Sequence, residues 1–269
     1  MDLILLDTIK SAILGVVEGI TEFLPISSTG HLILVNQFIS FDKNFTFLFD
    51  IVIQLGAILA VVVYFLKKLW PFGKDIEKNN QTWSLWLKTI VGVLPALVLG
   101  ALFANIIETK LFNPWVVVLA LFLGGIIILL VENKKRDAKI TSIGQIGYKT
   151  AFFIGLIQCL SMIPGTSRSA ATIIGAMTLG ASRLVATEFS FFLAIPTMLA
   201  ASAYSLLKYN GALNLQQFFV LSVGFIISFL VALAVVKFLI NFVQKNNFKI
   251  FGWYRIILAL IIIIYFILK

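Results

Sequence analysis

The sequence predicts an all-α integral membrane protein, with six transmembrane helices plus two re-entrant helical hairpins in an inverted-topology repeat. Three observations lead there. Hydrophobic residues make up 60% of the 269 and charged residues only 12%, against roughly a quarter charged in a soluble domain. So few charges could not cover a soluble protein of this length without large apolar patches. Six apolar runs approach or reach the roughly 18–20 residues needed to cross a bilayer. Two further stretches are apolar but interrupted at their centres, and they resemble each other. The long runs lack the short alternating segments of a transmembrane barrel. A soluble enzyme, a disordered chain and a disulfide scaffold are thereby excluded.

In chain order, the first interrupted stretch covers 3–41 and breaks at LPISSTGH, residues 24–31. Spans follow at 47–66, 86–105 and 114–131. The second interrupted stretch covers 149–182 and breaks at IPGTSRSAAT, residues 163–172; spans follow at 185–207, 216–240 and 251–268. The halves on either side of each break suit helices that enter the membrane partway. GVVEGITEFLPISSTGHLIL, from Gly15, matches GLIQCLSMIPGTSRSAATII, from Gly155. With one gap, Pro25 falls opposite Pro164, Ser28 opposite Ser167 and Thr29 opposite Arg168. The chain thus reads as one membrane domain, 1–269, with internal repeats at about 3–132 and 149–268. Three spans per repeat, an odd number, invert the second copy.

The net charge of +9 comes from 21 Lys and Arg against 12 Asp and Glu. In a membrane protein that excess marks cytoplasmic loops rather than a nucleic-acid surface. If both interrupted stretches return to the side they came from, fifteen of the 21 cations fall on one side, Arg255 among them. Five fall on the other, and Arg168 stays inside the membrane. Both termini then lie outside the cytoplasm. Cys159 is the only cysteine and reads as a small packed side chain. The N-terminus has no basic region or small-residue cleavage site, so it reads as retained.

Chemistry concentrates at the two breaks. An ionised side chain at the centre of a membrane helix costs about 2.5–3.5 kcal/mol on insertion scales, so it needs a reason. Glu18 and Glu22 stand one helical turn apart on one face. They must share a proton, meet a cation or face water. A divalent cation is the sharper reading, and oxygen ligands favour Mg²⁺ or Ca²⁺. Ser27, Ser28, Thr29 and His31, the only histidine, follow directly. They sit where a new helix half would offer unpaired N–H groups to phosphate. The second break supplies Arg168 between Ser167 and Ser169, with Thr172 one turn on; a guanidinium fork suits phosphate oxygens. Inverted repeats bring such breaks together near the midplane, so Glu18, Glu22, Ser28, His31 and Arg168 are expected to converge. Two carboxylates and one Arg leave the site negative, and a bridging cation would remove the conflict with a diphosphate. Asp50 with Gln54, and Glu188, are second-tier candidates; Glu188 is expected to pair with Arg168 or to cap its helix.

At these residues the chain resembles a family. EGITEFLPISSTGH and PGTSRSAAT look like the two signature motifs of the bacterial undecaprenyl-diphosphatase, or bacitracin-resistance protein, family. FDIVIQLGAILAVVVYF and EFSFFLAIP also resemble family segments, and the resemblance covers essentially the whole chain. It matches Glu18 and Glu22 to the acidic pair, Ser27, Ser28, Thr29 and His31 to the hydroxyl–histidine segment, and Ser167, Arg168, Ser169 and Thr172 to the second motif. Where the family commonly has Glu, Asp50 keeps the carboxylate one methylene shorter. The resemblance implies an integral enzyme of the bacterial cytoplasmic (inner) membrane, with its active site facing the outer side. It would use a divalent cation to remove the terminal phosphate of undecaprenyl diphosphate, a polyprenyl diphosphate lipid. The product is the lipid carrier for peptidoglycan synthesis, and bacitracin resistance follows. A homodimer is left open.

Two mechanisms stand at this stage. Ser28 is a nucleophile with His31 as its base, or His31 activates water and Ser28 binds phosphate. The rival class is an inverted-repeat transporter or flippase for a phosphorylated lipid or anion.

Overall fold

The computed structural model describes residues 2–134, 137–209 and 211–268; Lys135, Arg136 and Lys269, counted above among the loop cations, lie outside them. The first interrupted stretch forms α1 (Asp2–Thr21) and α2 (Ser28–Val35), and the second forms α7 (Tyr148–Gln158) and α8 (Arg168–Thr178). The remaining helices are α3 (Lys43–Tyr64), the short α4 (Leu66–Leu69), α5 (Ile76–Leu111), α6 (Pro114–Asn133), α9 (Arg183–Lys208), α10 (Leu215–Lys245) and α11 (Lys249–Leu268). Among the described residues there is no strand, only an isolated bridge between Ile140 and Ala181.

Six helices are long and apolar enough to cross a membrane: α3, α5, α6, α9, α10 and α11. They coincide with the six expected spans, and the multi-pass membrane class follows. The largest difference is at α5, which starts at Ile76 rather than near 86. Asp75 caps it by accepting from the Lys78 N–H at 3.1 Å, so polar residues extend the helix before the apolar run begins. α9 is the least hydropathic of the six, yet 67% of its span is buried against protein. It is the central helix, and its environment is side chains rather than lipid. On α1, Leu5, Ile9, Ile13, Val16 and Ile20 form an exposed apolar stripe at helical spacing, the face expected toward acyl chains.

Helices pack in lipid through small residues that let backbones approach. A Cβ on Gly15 would come within 2.8 Å of the Gly224 carbonyl, and one on Gly19 within 2.8 Å of the Ser228 carbonyl, so α1 lies tight on α10. A hydroxyl seals that contact, Ser11 donating to the Val220 carbonyl at 2.7 Å, and Ser228 ties α10 to α3 in the same way, donating to the Ile53 carbonyl at 2.7 Å. Across the molecule α7 crosses α5 equally closely, with Gly155 against the Gly92 backbone. Gly155→Ala gains about 1 kcal/mol of helix propensity, but its methyl meets backbone that cannot rotate away. Overpacking wins, and we expect a net loss of about 1–2 kcal/mol. Thermal unfolding in detergent checks this; an unchanged midpoint would contradict so close a crossing.

At one end of the bundle the buried Glu132 carboxylate accepts from the Phe248 N–H at 2.9 Å and pairs with Arg183. It ties α6 to the starts of α9 and α11.

The breaks position the site. Ser27 caps α2 with φ 75° and Ser167 caps α8 with φ 73°. Among the described residues these are the only non-glycine residues at positive φ. N-caps normally lie in the β region, and a left-handed serine costs on the order of 1–3 kcal/mol. Each serine recovers part of that by accepting an N–H of its own helix at 3.2 Å, from Gly30 and from Ala170. The same strained cap therefore occurs twice. By cap geometry Ser27 is the counterpart of Ser167, one residue away from the gapped alignment that sets Ser28 opposite Ser167. Pro25 lies two residues before its cap and Pro164 three.

Candidate active site

The two breaks meet. Ser169, at the second position of α8, donates to the Leu24 carbonyl of the first break at 2.8 Å. The Arg168 guanidinium reaches Glu22 at the end of α1, Nη2 to Oε1 at 3.1 Å. Glu22 is also the acceptor for Ser28, whose Oγ donates to Oε2 at 2.6 Å. One carboxylate thus joins a hydroxyl at the N-terminus of α2 to a guanidinium at the N-terminus of α8. Both ion-pair partners are buried, with side chains 5% and 10% exposed.

Arg168 is held on three sides. Nη1 donates to the Ser190 carbonyl at 3.1 Å, and Cζ lies 5.8 Å from the Phe23 ring centre. Nε is buried with no protein partner. That leaves one guanidinium N–H without an acceptor, at a helix start where first-turn amides lack intrahelical partners.

Glu18 is 1% exposed, and its Oε1 has no protein partner. Asp50 on α3 is near enough to act on it electrostatically, and Asp50 Oδ1 is buried and unpartnered as well. The other oxygen of Asp50 accepts from Asn36 at 3.5 Å. Asp50 thus faces inward, within electrostatic range of Glu18. Gln54, one turn further on α3, is half-buried and forms none of these hydrogen bonds.

His31 does not face Ser28. Its Nδ1 lies 2.7 Å from the Ser27 carbonyl, which can only accept, so Nδ1 carries a proton. In the neutral ring Nε2 must then accept, and Tyr254 of α11 supplies the hydroxyl at 2.7 Å. Both ring nitrogens are engaged, and the side chain that hydrogen-bonds the Ser28 hydroxyl is Glu22 rather than the expected His31. Tyr254→Phe should lower turnover about three- to tenfold by freeing the imidazole, roughly one neutral hydrogen bond of about 0.5–1.5 kcal/mol. A loss as large as that of Glu22→Gln would mean that His31 is the base after all.

The remaining expected residues sort by what their hydroxyls touch. Thr29 is exposed at the first turn of α2. Ser167 caps α8 and shares a hydrogen bond with Ser169 at 3.0 Å. Thr172 bonds Ser190 at 2.6 Å and the Arg168 carbonyl at 2.9 Å, so it braces α8 on α9. Glu188 neither pairs with Arg168 nor caps α9, whose cap is Ser182. It takes Lys68 of α4 at 2.7 Å, because Arg168 is already engaged by Glu22. Two residues were missed. Tyr254 lies on α11, 223 positions from its partner, and Arg255 is fully buried rather than a loop cation.

Fold and site together define a polytopic membrane protein with a buried carboxylate–hydroxyl–guanidinium centre between two helix N-termini. Comparison with known proteins narrows the class. The family model described as bacitracin resistance protein BacA matches residues 11–261, and the chain belongs to that family. It is 51% identical to the undecaprenyl-diphosphatase of Lachnoclostridium phytofermentans, over 98% of each chain. It is 49% identical to undecaprenyl-diphosphatase 1 of Clostridioides difficile, again over 98% of each. To the Enterococcus faecalis undecaprenyl-diphosphatase it is 46% identical, over 98% of this chain and 99% of the relative.

Proposed function

We propose that this chain is an undecaprenyl-diphosphatase. It hydrolyses undecaprenyl diphosphate to undecaprenyl phosphate and phosphate, returning the lipid carrier to peptidoglycan synthesis and conferring bacitracin resistance. The observation that carries the reading is the Glu22 bridge: one buried carboxylate holds the Ser28 hydroxyl at 2.6 Å and the Arg168 guanidinium at 3.1 Å.

The mechanism follows from those contacts. The Ser28 Oγ attacks the terminal phosphorus while Glu22 takes its proton. A P–O bond to Ser28 forms, the anhydride P–O bond breaks, and undecaprenyl phosphate leaves with the bridging oxygen. Arg168, through its unpartnered Nε–H, and the first amides of α2 and α8 receive the charge on the phosphoryl oxygens. Water then attacks the phosphoserine, the second displacement releases phosphate, and Ser28 recovers its proton. Neither nitrogen of His31 is free to activate that first attack, which favours this path over direct attack by water. Ser28→Ala is expected to lose about 10³-fold or more in turnover. More than a tenth of the wild-type phosphate release from purified Ser28→Ala protein would contradict a serine nucleophile.

A divalent cation, Mg²⁺ or Ca²⁺, fits the donor set. Glu18 Oε1 and Asp50 Oδ1 are buried oxygens without protein partners, the hard ligands such ions take. Glu22 would complete the pair expected with Glu18 through its remaining lone pairs. Among the described residues no three His, Cys, Asp or Glu side chains cluster closely enough to hold an ion alone. The substrate's phosphates would then supply the rest of the shell, the usual arrangement for Mg²⁺. When bound, the ion would neutralise the diphosphate against the carboxylates and polarise the phosphoryl oxygen. Glu18→Gln should weaken cation binding, measured by calorimetry without substrate, by tenfold or more; unchanged affinity would remove Glu18 from the ligand set.

The hairpins are read as re-entrant and the halves as an inverted repeat. The packing supports this. α1 packs on α10 as α7 packs on α5, and α3 on α10 as α9 on α5; α3 with α9 and α6 with α11 are counterparts touching each other. Gly15 and Gly155 each sit where a helix of one half meets the backbone of a helix from the other, and Ser27 and Ser167 are the two strained caps, both pairs 140 residues apart. The excess of loop cations on one side supports an inner-membrane protein with both termini outside the cytoplasm. The same architecture serves transporters. What favours chemistry is the hydroxyl set on a buried carboxylate, which binding alone does not require.

A further inference from the structure

Arg255 lies in the second turn of the membrane-spanning helix α11, is 0% exposed, and has no carboxylate partner among the described residues. Its five N–H groups nevertheless all find acceptors. Nη1 donates to the carbonyls of Pro25 at 3.3 Å and Thr166 at 2.9 Å. Nη2 donates to those of Gly165 at 3.0 Å and Ala120 at 2.9 Å, and Nε to that of Leu121 at 3.3 Å. Three of the five belong to the two breaks, directly upstream of the caps Ser27 and Ser167. The other two lie on α6, which runs beneath both breaks.

The neighbouring helix is shaped for this side chain. A Cβ on Gly124 would overlap the guanidinium, meeting Cζ at 2.7 Å, and one on Gly125 would meet the Gly252 carbonyl at 2.7 Å. The paired glycines of α6 form the slot through which the fork reaches the break carbonyls. A lysine has three donors on a point charge and cannot span five fixed acceptors.

We propose that Arg255 is a positioning residue of the phosphatase centre. One guanidinium fastens the backbone of both breaks to α6, so that the N-termini of α2 and α8, carrying Ser28 and Arg168, are aimed at one phosphoryl group. It touches none of the reacting side chains itself and acts through the carbonyls of Pro25, Gly165 and Thr166. Its role rests on the undecaprenyl-diphosphatase reading for the reaction it serves, but not for the backbone contacts it makes.

The test uses the purified full chain, with Arg255→Lys and Gly124→Ala on separate helices and the double variant. Hydrogen exchange is read first, because it does not depend on catalysis. The result expected is faster exchange in the segments around 22–31 and 163–172, with the other helices unchanged. Exchange unchanged in those segments, or raised uniformly through the chain, overturns the proposal. Phosphate release is read second. A misplacement of about 1 Å costs on the order of 100-fold, so kcat should fall about 100-fold in each variant with KM within about threefold. The double variant should be no more than about threefold slower than the slower single one. A kcat within threefold of wild type, a loss confined to KM, or fully additive losses overturns it. If Arg255→Lys does not fold, Gly124→Ala is judged by the same criteria. Inactive wild-type protein with the expected exchange pattern would sink the phosphatase reading and leave the anchoring role standing.

Discussion

Glu22→Gln should lower phosphate release by about 10²–10⁴-fold, the range of a positioned general base. The amide has the size of the carboxylate and can still accept from Ser28, so the geometry of the first break survives. It cannot take the serine proton. It also leaves Arg168 without a counter-charge in a site where both side chains are at most 10% exposed. Breaking a buried pair from one side costs about 3–5 kcal/mol, part of which should appear as a lower unfolding temperature. Substrate affinity should not fall with it, because the variant removes a negative charge from beside the diphosphate. Steady-state kinetics on the detergent-purified variant, with KM resolved from kcat, check this. Turnover within tenfold of wild type would take the base role from Glu22.

Arg168→Ala is expected to lose about 10²–10³-fold or more in turnover, the scale of one transition-state donor. Arg168→Lys should recover little of it. The guanidinium serves Glu22 through Nη2, the Ser190 carbonyl through Nη1 and the site through Nε. An ammonium has one point from which to reach all three. A lysine variant that retained more than a tenth of the activity would show that charge alone suffices at this position.

Much of this centre was legible in the sequence because burying charge in a membrane is costly. Glu18, Glu22 and Arg168 stood out against their apolar surroundings, and Pro25 and Pro164 marked the places where helices had to stop. The spans were legible from run length alone, save the start of α5, where capping by Asp75 extends the helix through polar residues. What stayed hidden depends on distance along the chain. Arg255 near the start of an apolar helix has the same sequence signature as a loop cation, and only the carbonyls of Pro25, Gly165 and Thr166 distinguish it. His31 sits beside the serines, which suggested a base for Ser28. Its true partners are the Ser27 carbonyl and Tyr254, and one of them is 223 residues away. Glu188 looked free to meet Arg168 because nothing in the sequence brings Lys68 of α4 to it. Aligning the two breaks on proline sets Ser28 opposite Ser167, one residue away from the serine caps that share the strained geometry, because that geometry leaves no mark in the sequence.

The central claim is that Ser28, on Glu22, attacks the terminal phosphorus and is itself phosphorylated. The stereochemical course at that phosphorus tests it most directly, using undecaprenyl diphosphate made chiral at its terminal phosphate with oxygen isotopes and sulfur. Two successive in-line displacements predict net retention in the thiophosphate released. Inversion would mean a single attack by water and would leave Ser28 as a ligand of the substrate only.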